Sequence, residues 1–236
     1  MLTPTQRDEF DRSGLLRLPG AVPGSDVALM RDRIWEFLPS SPDRPETWAA
    51  GPARHLQPLR KADAFAPMAS ERVIEALDDL LGEWQRPKTW GLPLVTFPDG
   101  GSPWRVPGTG WHVDSWGPEH ELPGVTVFAF LLPVAASGGG TVVLAGSHRL
   151  VNRHIATTGT WKPAEIKAAA HPWLVSAMAG EREVGDEAVL DGVPVAVREL
   201  TGESGDVTLM HPRTLHAPAP NTAGTPRMML VEIVSR

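Results

Sequence analysis

Apolar residues recur at helical spacing in the first third of the chain. A short first helix, capped by Thr3 or Thr5, is followed by a strand over residues 15–18. Longer helices are predicted over residues 26–38 and 70–84, because their apolar side chains recur at steps of three and four. The inward positions are Val27, Met30, Ile34, Phe37 and Leu38 in the first, and Val73, Ile74, Leu77, Leu80 and Leu81 in the second. Both helices are therefore expected to pack on a core.

From residue 89 onward the pattern changes to short apolar runs separated by turn residues. The runs cover residues 92–97, 125–132, 140–144, 193–198, 206–210 and 228–234. Regularly spaced short strands of this kind are typical of a β-sandwich or a β-barrel.

Two long segments follow neither pattern. Residues 39–68 contain several prolines and little periodicity, and they predict a loop that covers the core. Residues 151–184 interrupt the strands with helical or mixed stretches. Because long insertions in β scaffolds often cover a site, we expect a lid over residues 150–190.

Length and composition favour one domain and exclude several kinds of chemistry. The 236 residues, 42% of them hydrophobic, predict a single domain with a helical part over residues 1–88 and a β core over residues 89–236. The absence of cysteine excludes disulfides, thiolate-bound metals and thiol nucleophiles. A metal site would therefore have to use histidines and carboxylates.

Charge and hydropathy argue against nucleic acid and membrane partners. The net charge is −6, and lysines and arginines are scattered rather than clustered. The first residues are polar, and no run of apolar residues is long enough to cross a membrane. We expect a cytoplasmic monomer or homodimer.

His112 and Asp114 form the motif with the most evident chemical use. In an extended segment, residues i and i+2 point to the same face, so this imidazole and this carboxylate would be presented together. Such a pair can hold a metal ion, although it also occurs by chance or as a structural hydrogen bond. A second histidine would complete the two-His, one-carboxylate arrangement of non-haem Fe(II) sites.

His216 is the leading candidate for the third ligand. It follows the predicted strand over residues 206–210, and Arg227, eleven positions later, begins the last strand. If these strands pair, the guanidinium of Arg227 can bind a dicarboxylate close to the metal. His211 is the rival ligand, but we interpret it as a structural residue, as we do His148.

Other motifs allow a structural interpretation beside the functional one. Trp104, Trp111 and Trp116 surround the His112 motif and could bind an apolar substrate, or they could only pack. No serine stands in a nucleophile elbow, which disfavours a hydrolase. Residues 138–140 are three glycines that precede a strand, and they predict a tight hairpin rather than a phosphate loop.

The chain resembles the phytanoyl-CoA dioxygenase family of Fe(II)/2-oxoglutarate oxygenases. The segments that carry the resemblance are residues 2–20, 111–115, 139–149 and 205–216, together with Asn221 and Arg227. Residues 39–110 and 150–200 match weakly, and substrate choice usually depends on such regions. The resemblance implies a double-stranded β-helix, or cupin-like jelly-roll, with N-terminal helices packed outside.

The resemblance also implies roles for individual residues. His112, Asp114 and His216 would bind Fe(II), and Arg227 would bind the C5 carboxylate of 2-oxoglutarate. Phe130 falls where the family often has an aromatic residue beside the cosubstrate. The chain departs from the family at Pro218, where a hydroxyl residue is common, and at Val113, where a polar residue is common.

The implied function is O2-dependent oxidation of a small molecule. We expect hydroxylation of a fairly apolar metabolite or natural-product intermediate, with release of succinate and CO2 from 2-oxoglutarate. Desaturation, epoxidation or cyclisation at the same centre is an alternative, and a non-catalytic metal-binding jelly-roll is another. Asp114 argues against halogenation, because related halogenases have a small residue at that position.

Overall fold

Two antiparallel sheets form the β core of the protein. The computed structural model describes residues 1–51, 54–100, 103–114, 120–159 and 171–236. The strands are β1 (Leu15–Leu18), β2 (Arg54–His55), β3 (Leu92–Thr96), β4 (Gly124–Phe130), β5 (Thr141–Ala145), β6 (Glu187–Leu190), β7 (Val193–Glu199), β8 (Val207–Met210), β9 (His216–Pro218) and β10 (Arg227–Ser235). The helices are α1 (Pro4–Ser13), α2 (Gly24–Phe37), α3 (Gln57–Lys61), α4 (Glu71–Leu81), α5 (Ser147–Thr158) and α6 (Pro172–Met178).

The sheets have the strand order of an open jelly-roll. The larger sheet runs β1-β8-β4-β10-β3-β2 and the smaller one runs β6-β7-β5-β9. All their strand pairs are antiparallel, and neither sheet closes on itself. The predicted fold class is confirmed.

Strand β4 lies in the middle of the larger sheet and is buried on both faces. Val125 and Val127 pack in the cluster that contains the N-terminal helices, whereas Phe128 and Phe130 pack with Val143 of the smaller sheet. Successive side chains of a strand point to opposite faces, and here both faces are covered. This burial explains why β4 is an almost unbroken apolar run in the sequence.

The N-terminal helices cover the outer face of the larger sheet. Thr3 caps α1 through a capping box with Gln6, which decides between the two predicted caps. The positions Val27, Met30, Ile34, Val73, Leu77 and Leu81 are buried as predicted. Phe37, the last residue of α2, is 46% exposed, whereas Leu38 directly after it is buried as predicted. Helix α4 ends at Leu81 rather than near residue 84, since Gly82 takes a positive φ of 68°.

Several short elements differ from the sequence-based expectation. The segment predicted as a loop over residues 39–68 contains β2, α3 and two short 3-10 helices, Pro45–Thr47 and Ala66–Met68. Strands β6 and β9 were not predicted from the sequence. In the predicted lid, α5 and α6 are helical, whereas residues 160–170 lie outside the described part of the chain. No described helix is long and apolar enough to cross a membrane.

Two buried histidines pack beside the end of α1. His148 lies on α5, and His211 directly follows β8. The rings of His148 and His211 lie 4.6 Å apart between centroids. Nε2–H of His148 donates to the carbonyl of Asp11 at 3.1 Å, and Nε2–H of His211 donates to the carbonyl of Glu121 at 2.9 Å. Gly14 is required beside them, because it has a positive φ of 75° and a Cβ there would lie 2.6 Å from His148 Nδ1. His148 and His211 are 3% and 5% exposed, respectively.

Burial keeps both rings neutral. It lowers the pKa of His148 to about 4, with a smaller contribution from Arg149, and it lowers the pKa of His211 to about 3, with a further contribution from His148. In the unfolded chain both would titrate near their ordinary pKa of about 6.5. The unfolded state therefore binds more protons as the pH falls below that value.

We predict that the free energy of unfolding falls as the pH is lowered from about 6.5 to about 4. The expected loss is about 1.4 kcal/mol for each pH unit and each histidine, or about 3 kcal/mol from His148 alone. Urea unfolding at a series of pH values tests this prediction. His211→Gln should show a shallower pH dependence, and identical slopes for the variant and the native chain would contradict it.

Candidate active site

Main-chain hydrogen bonds bring His112, Asp114 and His216 together. The N–H of His112 donates to the carbonyl of His216 at 2.9 Å, and the N–H of His216 donates to the carbonyl of His112 at 3.1 Å. The N–H of Asp114 donates to the carbonyl of Pro212 at 2.7 Å. Potential ligand atoms of the three side chains all lie within 4.8 Å of one another. The i and i+2 arrangement predicted for His112 and Asp114 is therefore present.

The hydrogen bonds of the two rings orient them toward a common point. Nδ1–H of His112 donates to the carbonyl of Gly110 at 2.8 Å, and Nδ1–H of His216 donates to the carbonyl of Thr214 at 2.9 Å. The Nε2 atoms then carry the lone pairs, 3.8 and 3.5 Å respectively from the Asp114 carboxylate. Such outer contacts fix the tautomer that a metal requires.

Thr126 orients the carboxylate. Its hydroxyl donates to Oδ2 of Asp114 at 2.8 Å, and its side chain is fully buried on the inner face of β4. Burial lowers the pKa of His216, and His112 lowers it further against the opposing effect of Asp114. His216 is thus held in the neutral form, which is the form that binds metals.

His211 does not point toward this cluster. Its Nε2–H is used by the carbonyl of Glu121, and its Nδ1 accepts from the N–H of Arg213 at 3.1 Å. Both ring nitrogens are therefore occupied within the protein. The structure gives His211 and His148 the structural positions that the sequence analysis favoured.

Arg227 begins β10 and points into the same cavity. Its side chain is only 2% exposed, and Nη1–H donates to the carbonyl of Gly139 at 2.6 Å. Its Nε–H has no hydrogen-bond partner among the described residues. Burial lowers the pKa of Arg227 to about 10, against the opposing effect of Glu199, so the group stays charged at neutral pH. A buried cation with a free donor is suited to an anionic ligand.

The cavity that contains these groups has a volume of about 720 Å³. Its apolar wall comes from β3, β4 and β10 and from the residue after β3: Leu92, Leu94, Phe97, Phe128, Val231 and Ile233. Thr96, Thr141 and Asn221 add polar groups to the wall, and His55 and Asp99 also line the cavity. Pro218, the departure from the family pattern, lies in the wall as well.

Several predicted lining residues occupy other places. Phe130 packs in the cluster between the sheets, whereas Phe128, two residues earlier on the same face, lines the cavity. Trp111 is buried on the outer side of the smaller sheet, and its indole N–H donates to the carbonyl of Pro107 at 2.8 Å. Trp104 packs against the same outer cluster, and Trp116 lies outside the described residues. The structure therefore does not place Trp104 and Trp111 on the cavity wall.

An aromatic group that was not predicted from the sequence supports the cavity wall. Trp48 stacks on Phe97 with ring centroids 5.9 Å apart, and Trp35 contacts the same ring at 6.2 Å. The guanidinium of Arg54 lies 5.4 Å from the Phe97 centroid. His55 is exposed and also lines the cavity, because β2 pairs with β3. These residues follow no regular spacing in the sequence, so the pattern of the chain did not indicate their contacts.

The chain is similar in fold to several solved structures. SnoK, a non-heme alpha-ketoglutarate-dependent carbocyclase from nogalamycin biosynthesis, is 19% identical, with 99% of this chain and 84% of that chain covered and a TM-score of 0.67. EvdO2 from Micromonospora carbonacea var. aurantiaca is 20% identical, with 100% and 91% covered and a TM-score of 0.60. HygX from Streptomyces hygroscopicus, solved with nickel and 2-oxoglutarate, is 17% identical, with 99% and 87% covered and a TM-score of 0.58.

At these identities the solved structures establish the fold. No curated protein sequence matches the chain closely enough to serve as a relative. The sequence model of the phytanoyl-CoA dioxygenase family matches residues 10–229, which include every residue of the cluster and Arg227. The chain belongs to the phytanoyl-CoA dioxygenase family.

Proposed function

We propose that the protein is an Fe(II)/2-oxoglutarate-dependent dioxygenase that hydroxylates a small, fairly apolar molecule. The observation that carries this proposal is the presence of the His112, Asp114 and His216 cluster and the buried Arg227 in one cavity. Family membership and the natural-product enzymes among the similar structures support it. The single catalytic domain, the lid and the cytoplasmic monomer or homodimer stay predictions.

The donor set fits Fe(II). Two neutral imidazoles and one carboxylate are the protein ligands of the facial triad, which leaves positions open for a cosubstrate. His112, Asp114 and His216 would hold the metal, with Thr126 keeping the carboxylate in place. When bound, Fe(II) with 2-oxoglutarate and O2 supplies the oxidising power for attack on a C–H bond.

Arg227 fits the distal carboxylate of 2-oxoglutarate. Its guanidinium is excluded from water, and a charge-assisted hydrogen bond is stronger in such surroundings. The free Nε–H offers a donor beside the Nη groups. We infer that this contact selects a 2-oxo acid with a second carboxylate.

The cavity wall favours an uncharged, apolar substrate. Arg227 is the one lysine or arginine among the described residues of the wall. If the cosubstrate occupies it, no cation of the described wall is left for a phosphate group, which disfavours a coenzyme A thioester. The apolar strip on β3 and β10, from Leu92 and Leu94 to Val231, would instead contact carbon atoms of the substrate.

We predict that His216→Ala removes high-affinity Fe(II) binding. The variant would keep one imidazole and one carboxylate, which cannot complete the facial set. Anaerobic addition of Fe(II) and 2-oxoglutarate should give a weak visible charge-transfer band with the native protein and none with the variant. His211→Gln is the matched control and should retain the band. Its loss in His211→Gln, with retention in His216→Ala, would transfer the ligand role to His211.

We predict that Arg227→Ala raises the KM for 2-oxoglutarate about thirtyfold, the equivalent of about 2 kcal/mol, without loss of Fe(II). The reason is the loss of the charge-assisted contact to the distal carboxylate. Succinate release at increasing 2-oxoglutarate concentrations measures this change once a substrate is found by screening. Arg198→Ala, which alters a more exposed arginine on β7, is the control. An unchanged KM in Arg227→Ala would refute the role of Arg227.

A further inference from the structure

The Glu199 carboxylate holds the turn that contacts Arg227. Glu199 is the last residue of β7, and Oε2 accepts from the N–H of Ser137 at 2.8 Å. Oε1 accepts from the N–H of Gly140 at 3.0 Å. Gly139, one of the two residues between these amides, provides the carbonyl that accepts from Arg227 at 2.6 Å. One carboxylate therefore fixes both ends of the segment that holds the guanidinium.

The same turn is held from its other side. The N–H of Thr222 donates to the carbonyl of Ser137 at 3.0 Å. Gly139 has a positive φ of 78°, and a Cβ at this position would lie 2.8 Å from the Cβ of Asn221. Ser137 also has a positive φ, 64°, which is uncommon for a residue with a side chain and persists where surrounding contacts enforce it. The turn is therefore held by contacts on both sides.

Glu199 is also the anionic group that opposes the effect of burial on the pKa of Arg227. Within the described residues Arg227 forms no ion pair, so the charge of Glu199 acts from beyond direct contact. Burial raises the pKa of Glu199, while the amides of Ser137 and Gly140 and the charge of Arg227 lower it. The guanidinium is thus balanced in charge, and its Nε–H remains free.

We propose that Glu199 is a positioning residue for 2-oxoglutarate. It acts through residues 137–140 to set the direction of the Arg227 guanidinium, and it does not touch the cosubstrate. This inference rests on the proposed function, because it assigns the ligand of Arg227 to the distal carboxylate. Its consequence is selective: loss of Glu199 weakens recognition of that carboxylate and leaves the metal and the 2-oxo acid end unaffected.

The test compares two 2-oxo acids of equal length. 2-Oxopentanoate has a methyl group in place of the distal carboxylate of 2-oxoglutarate, so it cannot use Arg227. Dissociation constants of both acids are measured by anaerobic titration of the Fe(II)-loaded native protein and Glu199→Gln. We expect the variant to bind 2-oxoglutarate about tenfold more weakly, the effect of one charge-assisted hydrogen bond, and to bind 2-oxopentanoate and Fe(II) as the native protein does.

Glu187→Gln is the matched control. Glu187 lies on the adjacent β6, is exposed, and pairs with Arg198 at 2.5 Å, so the same change there should alter neither dissociation constant. Equal weakening of both acids in Glu199→Gln would mean general structural damage and would overturn the proposal, as would unchanged or tighter binding of 2-oxoglutarate. If the native protein with Fe(II) binds no 2-oxoglutarate, the proposed function itself fails.

A second variant covers the case in which Glu199→Gln does not fold. Glu199→Asp keeps the charge, but its shorter side chain cannot span the amides of Ser137 and Gly140 as the glutamate does. The positioning role predicts the same selective loss of 2-oxoglutarate binding. A purely electrostatic role predicts no loss, because the charge is retained. Thermal unfolding of each apo-protein verifies that the compared variants are folded.

Discussion

The reciprocal main-chain hydrogen bonds between His112 and His216 determine where the candidate site lies. His216 pairs in turn with Val143 of β5, so the register of the smaller sheet determines the position of the site. The neighbours of His216, Leu215 and Ala217, are buried in the apolar cluster on the outer side of that sheet. A slip of one residue would exchange the imidazole for an apolar side chain, and the cost of burying the imidazole among apolar groups keeps the register.

The larger sheet contributes further residues to the candidate site. Thr126 on β4 and Arg227 on β10 face the gap between the sheets, and they approach the cluster from the side opposite β9. The low polarity of this gap has two different consequences. It keeps His216 neutral and able to bind a metal, but it leaves Arg227 charged, because the pKa of a guanidinium remains far above neutrality even when lowered to about 10.

The sequence was sufficient for features that depend on local periodicity. The alternation along an extended segment placed His112 and Asp114 on one face. The strands of His216 and Arg227 do not pair, because β9 and β10 belong to different sheets, and Arg227 instead reaches the same cavity from the larger sheet. The same alternation puts Trp111 on the outer face of the sheet. Its position next to His112 in the sequence therefore did not justify the expectation that it could bind substrate. Phe128 and Phe130 share a face, and only the stacking of the two sheets decides which one reaches the cavity.

The cavity wall could not be derived in this way, because it depends on contacts between segments that are far apart in the chain. Phe97 is covered by Trp35 and Trp48, which come from α2 and from a segment without periodicity. His55 reaches the cavity through a two-residue strand that exists only because it pairs with β3. His112, Asp114, His216 and Arg227 lie on strands or are hydrogen-bonded to strand residues, whereas much of this wall comes from irregular segments. A chain can therefore change the wall, and with it the substrate, while the hydrogen bonds that hold the reactive centre stay intact.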